Sequence, residues 1–276
     1  MWSIICFIRS KFHKMDKKTC KLCENEAADK ENSHIIPKFL SKGLFENTKP
    51  RHSLELKKNG KGRNIQDTPK ENNILCKSCE KRIEIIETYF ARKIVDIHNY
   101  KNQKEKFVQN KIASQEFLIC KNINPKAFKL FIYSIIWRAS ISNLNEFLKF
   151  KIEKNIENEI RHFLNKNLKK DHKELLEDLK EINSTPDYNF VVFKPIINEN
   201  TSRGIFTAFN TGPNSHLLMI VDFAIYFFAD ENNLDFSFRY FSNKQNEFVI
   251  IALADIEKWN ELNKNIVYKM LKNKSS

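Results

Sequence analysis

Four cysteines fall in two C-x-x-C pairs, Cys20/Cys23 and Cys76/Cys79. Each such pair folds into a tight knuckle that presents two thiolates. Two knuckles together complete a closed tetrahedral site of the kind zinc favours. The spacing therefore predicts one structural zinc ion on Cys20, Cys23, Cys76 and Cys79. Zinc there would supply folding free energy to a stretch with few apolar residues. Cys6 and Cys120 stand alone, so the six cysteines do not form a secreted disulfide framework, and a reducing cytoplasm is expected. The pairs are separated by 52 residues, more than a compact zinc ribbon spans, so something must be built between the knuckles.

That insertion carries Ser33-His34-Ile35-Ile36-Pro37. Taken alone, His34 reads as a structural histidine whose ring bonds a backbone carbonyl near the zinc. Together with the flanking knuckles, and with Asn72-Asn73-Ile74-Leu75 leading into Cys76, it resembles the HNH endonucleases, the ββα-metal family. The resemblance covers roughly residues 18–98 and points to the zinc-containing members with a SHIIP strand and an acidic residue after the last cysteine. It implies a zinc-stapled, treble-clef-like ββα module that hydrolyses phosphodiester bonds. In this sequence His34 would be the general base, taking a proton from the attacking water. A catalytic divalent ion, Mg2+ or Mn2+, would stabilise the phosphate and the leaving oxygen. Such an ion needs hard oxygen ligands. The family positions fall on Asn73 (or Asn72) and Glu80, with Asp67 a further carboxylate. The chain departs from the pattern twice: Ser33 stands where many members have Asp, and Glu80 where many have His. Modules of this type occur in restriction, mobile-element and phage-defence proteins.

The net charge is +13 and is unevenly spread. Residues 1–110 hold 24 Lys/Arg against 14 Asp/Glu, and residues 111–276 hold 23 against 20. A localised positive field attracts a polyanion, so nucleic acid, DNA first, is the expected partner. Residues 49–70 are the most basic stretch and suit non-specific phosphate contact. No apolar run is long enough to span a membrane. Met1–Ile8 is apolar, but its positive charges follow it, unlike a secretory signal.

Positioning these residues requires a frame. The sequence predicts an extension over 1–14, an HNH-like zinc module over 15–110, with Met15 a possible start, and an α+β region over 111–276. Gly60 and Gly62 suggest a hairpin between His52–Leu56 and Arg63–Ile65. Ile83, Ile86, Phe90, Ile94 and Ile97 recur at helical spacing, with Ser78 a candidate cap. Glu84 and Glu87 are expected to be solvated or paired with basic neighbours. Asn99–Gln115 reads as a linker. Helices are expected over about 125–182: one opened by Pro125, one over 144–166 and one over 172–182. Strands are expected over 189–253, as an antiparallel sheet: 189–197, 204–209, 217–228, 235–241 and 247–253. The run at 217–229 also fits a buried helix. A closing helix is expected over 255–271. Trp137 and the Phe-rich strands read as core, and His13, His52, His98, His162, His172 and His216 as ordinary. A reading from a different class also fits the chain: an inactive zinc module that binds nucleic acid or protein, favoured by Ser33 and Glu80.

Overall fold

The computed structural model describes residues 18–41, 44, 53–56, 62–182, 184–197, 205–244 and 247–272. The extension at 1–14, Met15, Cys6, His13, His52, the Gly60 turn and most of the basic side chains of 49–63 lie outside them. Strands β1 (Ser33–His34) and β4 (Lys70–Glu71) form an antiparallel pair with registers Ser33–Glu71 and His34–Lys70. Between them, β2 (Ser53–Leu56) and β3 (Gly62–Ile65) make the expected hairpin. Helix α1 (Lys77–His98) follows directly from the second knuckle. Its predicted apolar face is buried throughout: Ile83, Ile86, Phe90, Ile94 and Ile97. Cys76, not Ser78, is its cap, because the Cys76 Sγ accepts from the Cys79 backbone N–H at 3.4 Å.

The expected linker is structured. After α1, β5 (Phe107–Ile112) and β6 (Gln115–Cys120) form a tight hairpin. Most of β5 is exposed, which hid it in the sequence: an edge strand can be polar and still satisfy its backbone on its neighbour. The expected division between residues 110 and 111 therefore falls inside β5.

Helices α2 (Pro125–Ile141), α3 (Lys154–Asn167) and α4 (His172–Asp178) follow. The helix expected from 144 starts only at Lys154, after a 3-10 turn at Asn145–Phe147. Asn124 caps α2 through its side-chain oxygen, one residue ahead of Pro125. Every residue of α2 from Ala127 to Ile141 is buried. It is the central layer of the molecule. On one side Phe131 stacks on Phe90 of α1, with ring centroids 4.4 Å apart. On the other, Phe128 and Tyr133 meet Phe190 at 5.8 and 5.7 Å.

Phe190 belongs to a seven-stranded sheet in the order β5-β6-β11-β7-β10-β9-β8. The remaining strands are β7 (Asn189–Pro195), β8 (Phe206–Gly212), β9 (Ser215–Ile220), β10 (Phe223–Phe228) and β11 (Val249–Ala254). The sheet is mixed, not antiparallel: β11 returns between β6 and β7 and runs parallel to β7. The apolar run at 217–228 is two strands, broken by a turn at Val221–Asp222 where Val221 takes φ 54°. Residues 235–241 are not a strand, because Asp235 caps a short helix, α5 (Phe236–Arg239). Alternate strand residues face opposite layers, as the period of two requires. Val192, Leu218, Ile225 and Ile251 join the large core around α2. On the far face Val191, Phe228 and Ala252 pack with Leu234 and Phe241, and Leu217 and Met219 pack with Trp259 of α6 (Ile256–Lys272). The chain is thus α+β, with helices on both faces of the sheet, and one continuous core runs from Cys20 to Leu253. No described helix is long and apolar enough to cross a membrane.

Candidate metal centre and histidine site

The two knuckles meet as the spacing predicts. The ligand atoms of Cys20, Cys23, Cys76 and Cys79 all lie within 4.8 Å of one another. Tetrahedral ligation with Zn–S bonds of about 2.3 Å places sulfurs about 3.8 Å apart. Cys23 and Cys76 are 4.0 Å apart, close to that value and far beyond the ~2.05 Å of a disulfide. Backbone bonds fix each knuckle. The Glu24 N–H reaches the Cys20 carbonyl at 2.9 Å, with Glu24 at φ 58° to close the turn. The Lys21 N–H to the Ile74 carbonyl, at 2.9 Å, ties the first knuckle to the second. The thiols cannot share charge evenly on their own. The bond from Cys79 holds Cys20 down to about 4, while burial pushes Cys76 up to about 12. Sharing a proton with Cys20 pushes Cys79 up as well. A bound cation is what lets such a cluster ionise together. The donor set, its burial and its spacing all fit a metal ion and are consistent with zinc.

Arg82 backs this cluster. Its guanidinium lies 3.9 Å from the Cys79 sulfur and donates to the Asn165 side chain and the Leu168 carbonyl, both at 2.9 Å. Arg161 and Lys21 tie the first knuckle to the same helical layer, through Glu24 at 3.0 Å and the Ile141 carbonyl at 2.8 Å.

His34 stands on the β1–β4 pair and is half-buried. Its Nδ1 lies 2.7 Å from the Thr68 hydroxyl oxygen. With the proton on Nδ1 donated to Thr68, Nε2 keeps its lone pair. Among the described residues no hydrogen bond to Nε2 competes for it. Burial lowers the pKa of the ring, Asp67 raises it, and Lys70, Arg138 and Lys38 lower it further. The Arg138 guanidinium donates to the His34 carbonyl at 2.7 Å and pairs with the Glu87 carboxylate at 2.5 Å.

No family model, curated protein or solved structure matches the chain. Its chemistry must therefore be read from these side chains alone.

The other expected site residues are placed less uniformly. Asp67 is beside His34, but its carboxylate is engaged by Lys70 at 2.6 Å and by the Thr68 N–H at 2.8 Å. Asn72 accepts from the Asn32 N–H at 2.7 Å and so ties the segment before β1 to the segment after β4. Asn73 is exposed at φ 60°, a left-handed position Asn tolerates, and its N–H bonds the Lys30 carbonyl at 3.0 Å. Among the described residues no hydrogen bond joins Asn73 to His34 or Glu80. Glu80 opens α1, and its Oε2 is buried with no partner. Glu87 is paired, as expected of that shoulder, and burial pushes its carboxyl up against the pull of Arg138. Glu84 is exposed. The hydroxyl of Ser33 is also buried without a partner.

Sequence reasoning missed Thr68, Glu71 and Arg138. Thr68 carries no local signal. Arg138 does: it is a charge in a helix with no polar face, which obliges it to find buried partners.

Proposed function

We propose that the chain is a metal-dependent endonuclease of the HNH type, acting on nucleic acid with His34 as the general base. The cysteine cluster would hold structural zinc. The observation that carries this reading is the 2.7 Å contact between His34 Nδ1 and the Thr68 hydroxyl: with Nδ1 as its donor, Nε2 is the atom able to take a proton. The order of elements supports it. Strand β1 pairs with β4 across the inserted β2–β3 hairpin, and the chain after β4 leads through Asn72–Leu75 into the second knuckle and α1, an order compatible with the strand–strand–helix arrangement that the resemblance implies.

His34 Nε2 removes a proton from water. The water oxygen forms the new bond to phosphorus, and the bond from phosphorus to the leaving ester oxygen breaks. Burial holds the imidazole pKa down, so the ring is neutral and basic near pH 7. Lys38 and Lys70 lie close enough to bias the charge of His34 and would face a phosphate there. Glu80, with its unpartnered buried oxygen, suits a hard divalent cation, and Asn73 is the second family position for it. That cation, Mg2+ or Mn2+, when bound would offset charge on the phosphate and the leaving oxygen. The unpaired thiols suit a reducing compartment, the cytoplasm.

A second reading, an inactive zinc module that binds nucleic acid or protein, is favoured by the engagement of Asp67 with Lys70 and by the turn role of Asn73. Cleavage of plasmid, linear duplex and single-stranded substrates, with His34→Ala alongside, separates the two. Magnesium- or manganese-dependent cleavage that His34→Ala abolishes, at unchanged zinc content, is the expected result. Salt-sensitive binding with no cleavage by either protein would establish the second reading instead.

A further inference from the structure

We propose that Arg138 is a positioning residue for His34, so that the buried helix α2 sets the geometry of the histidine strand. This rests on the nuclease reading for its activity readout only. The Arg138 side chain is 1% exposed. Burying a guanidinium costs several kcal/mol unless its donors are met, and an apolar residue would fill the same space without that cost. Arg138 meets its donors on three elements. Nε bonds the Ser134 carbonyl within α2 at 3.1 Å, one terminal nitrogen bonds the His34 carbonyl at 2.7 Å, and the other bonds Glu87 of α1 at 2.5 Å. The bonded carbonyl belongs to the residue that carries the imidazole. A shift of the guanidinium therefore moves the His34 backbone.

The partner strand is held in the same way. Glu71, opposite Ser33, accepts from the Ser142 hydroxyl at 2.7 Å, from the Asn143 N–H at 3.0 Å and from the Asn143 side-chain amide at 3.2 Å. Both strands of the pair are thus fastened to the end of α2. Lys21 and Lys151 occupy the last α2 carbonyls, Ile141 and Ser140, at 2.8 and 2.6 Å, which fixes that end in turn. Of these contacts only the one from Lys21 comes from a cysteine knuckle, and it reaches the end of α2 rather than the β1–β4 pair. Charged groups facing His34 are Asp67, Lys70, Lys38 and Arg138.

The test removes both buried charges together, as Arg138→Met with Glu87→Leu, since Arg138→Met alone would strand a buried carboxylate. Three quantities are read on the full chain: metal per chain, kcat and KM for metal-dependent cleavage, and the NMR titration of the His34 ring. The expected result is unchanged metal, kcat lower by about 100-fold with KM within about twofold, and a His34 ring whose titration and chemical shifts depart from the wild type, since its backbone anchor has gone while the net charge of the pair is unchanged. Arg138→Lys, which retains the charge and one donor, recovers part of kcat. If the double variant loses its metal, Arg138→Lys supplies the same comparison, with a smaller loss expected. A metal-loaded, cooperatively folded variant with wild-type kcat and wild-type His34 titration overturns the proposal. A wild-type chain that cleaves nothing, while the variant still moves the His34 titration, upholds the positioning role and sinks the nuclease reading alone.

Discussion

The Nδ1 of His34 meets the Thr68 hydroxyl at 2.7 Å, and the direction of that bond sets which ring nitrogen carries the proton. When Nδ1 donates, Nε2 is a base; when the hydroxyl donates instead, Nε2 carries the proton and is useless as one. Thr68→Val keeps the shape and removes the choice-fixing oxygen. It should lower kcat about tenfold, less than the roughly 10²–10⁴-fold that a whole general base contributes because the imidazole itself remains, and leave zinc content intact. A Thr68→Val enzyme with unaltered turnover would rule out this role. Protonation gives a second handle. Burial is the largest influence on His34 and disfavours the imidazolium, so the ring stays neutral below the ordinary histidine value of about 6.5. In the proposed mechanism the neutral ring is the active form. The acid limb of kcat/KM should therefore lie below pH 6.5, and a limb above it in a pH–rate profile would contradict the assignment.

Helix α1 begins on a cysteine of the candidate metal cluster. Cys76 is at once the second knuckle's first thiol and the cap whose sulfur accepts the Cys79 N–H. Helix entry and metal binding are thereby one event. Cys76→Ser retains a good capping oxygen but lacks the thiolate. It should lose the bound zinc and melt at the same lowered temperature as the chelator-treated wild type, as seen by metal analysis and thermal unfolding. Retention of full zinc would remove Cys76 from the ligand set. At this scale the sequence was a good guide where local periodicity carried the information. The α1 face and the helix opened by Pro125 were there to be read. It failed at β5, because an exposed edge strand needs no apolar alternation. It failed again at α5, where Phe and Tyr enrichment suggested a strand but Asp235 caps a helical turn.

Over the whole molecule, α2 is the shared wall between the cysteine module and the sheet. The α1 face that sequence assigns to a separate module is buried largely against it, with Phe90 and Phe131 stacked at 4.4 Å. Uncovering Ile83, Ile86, Phe90, Ile94 and Ile97 would forfeit on the order of 10 kcal/mol of burial, comparable to a domain's entire stability. A fragment of residues 15–110 should accordingly bind zinc through its cysteines yet show no cooperative unfolding and bind a hydrophobic dye. Cooperative unfolding of that fragment would show that the module stands alone.

The sequence by itself determined the four cysteine ligands, the helix that leaves them and the strand that bears His34. Those depend on spacings of a few residues, which knuckle and helix geometry translate directly into structure. Only the tertiary structure decided what His34 can do. Its ring partner lies 34 residues away and its backbone anchor 104, and no local pattern links such distances. The same holds for the parallel pairing of β11 with β7. Strand order in a sheet is settled by which faces can be buried together, and that is a property of the assembled core.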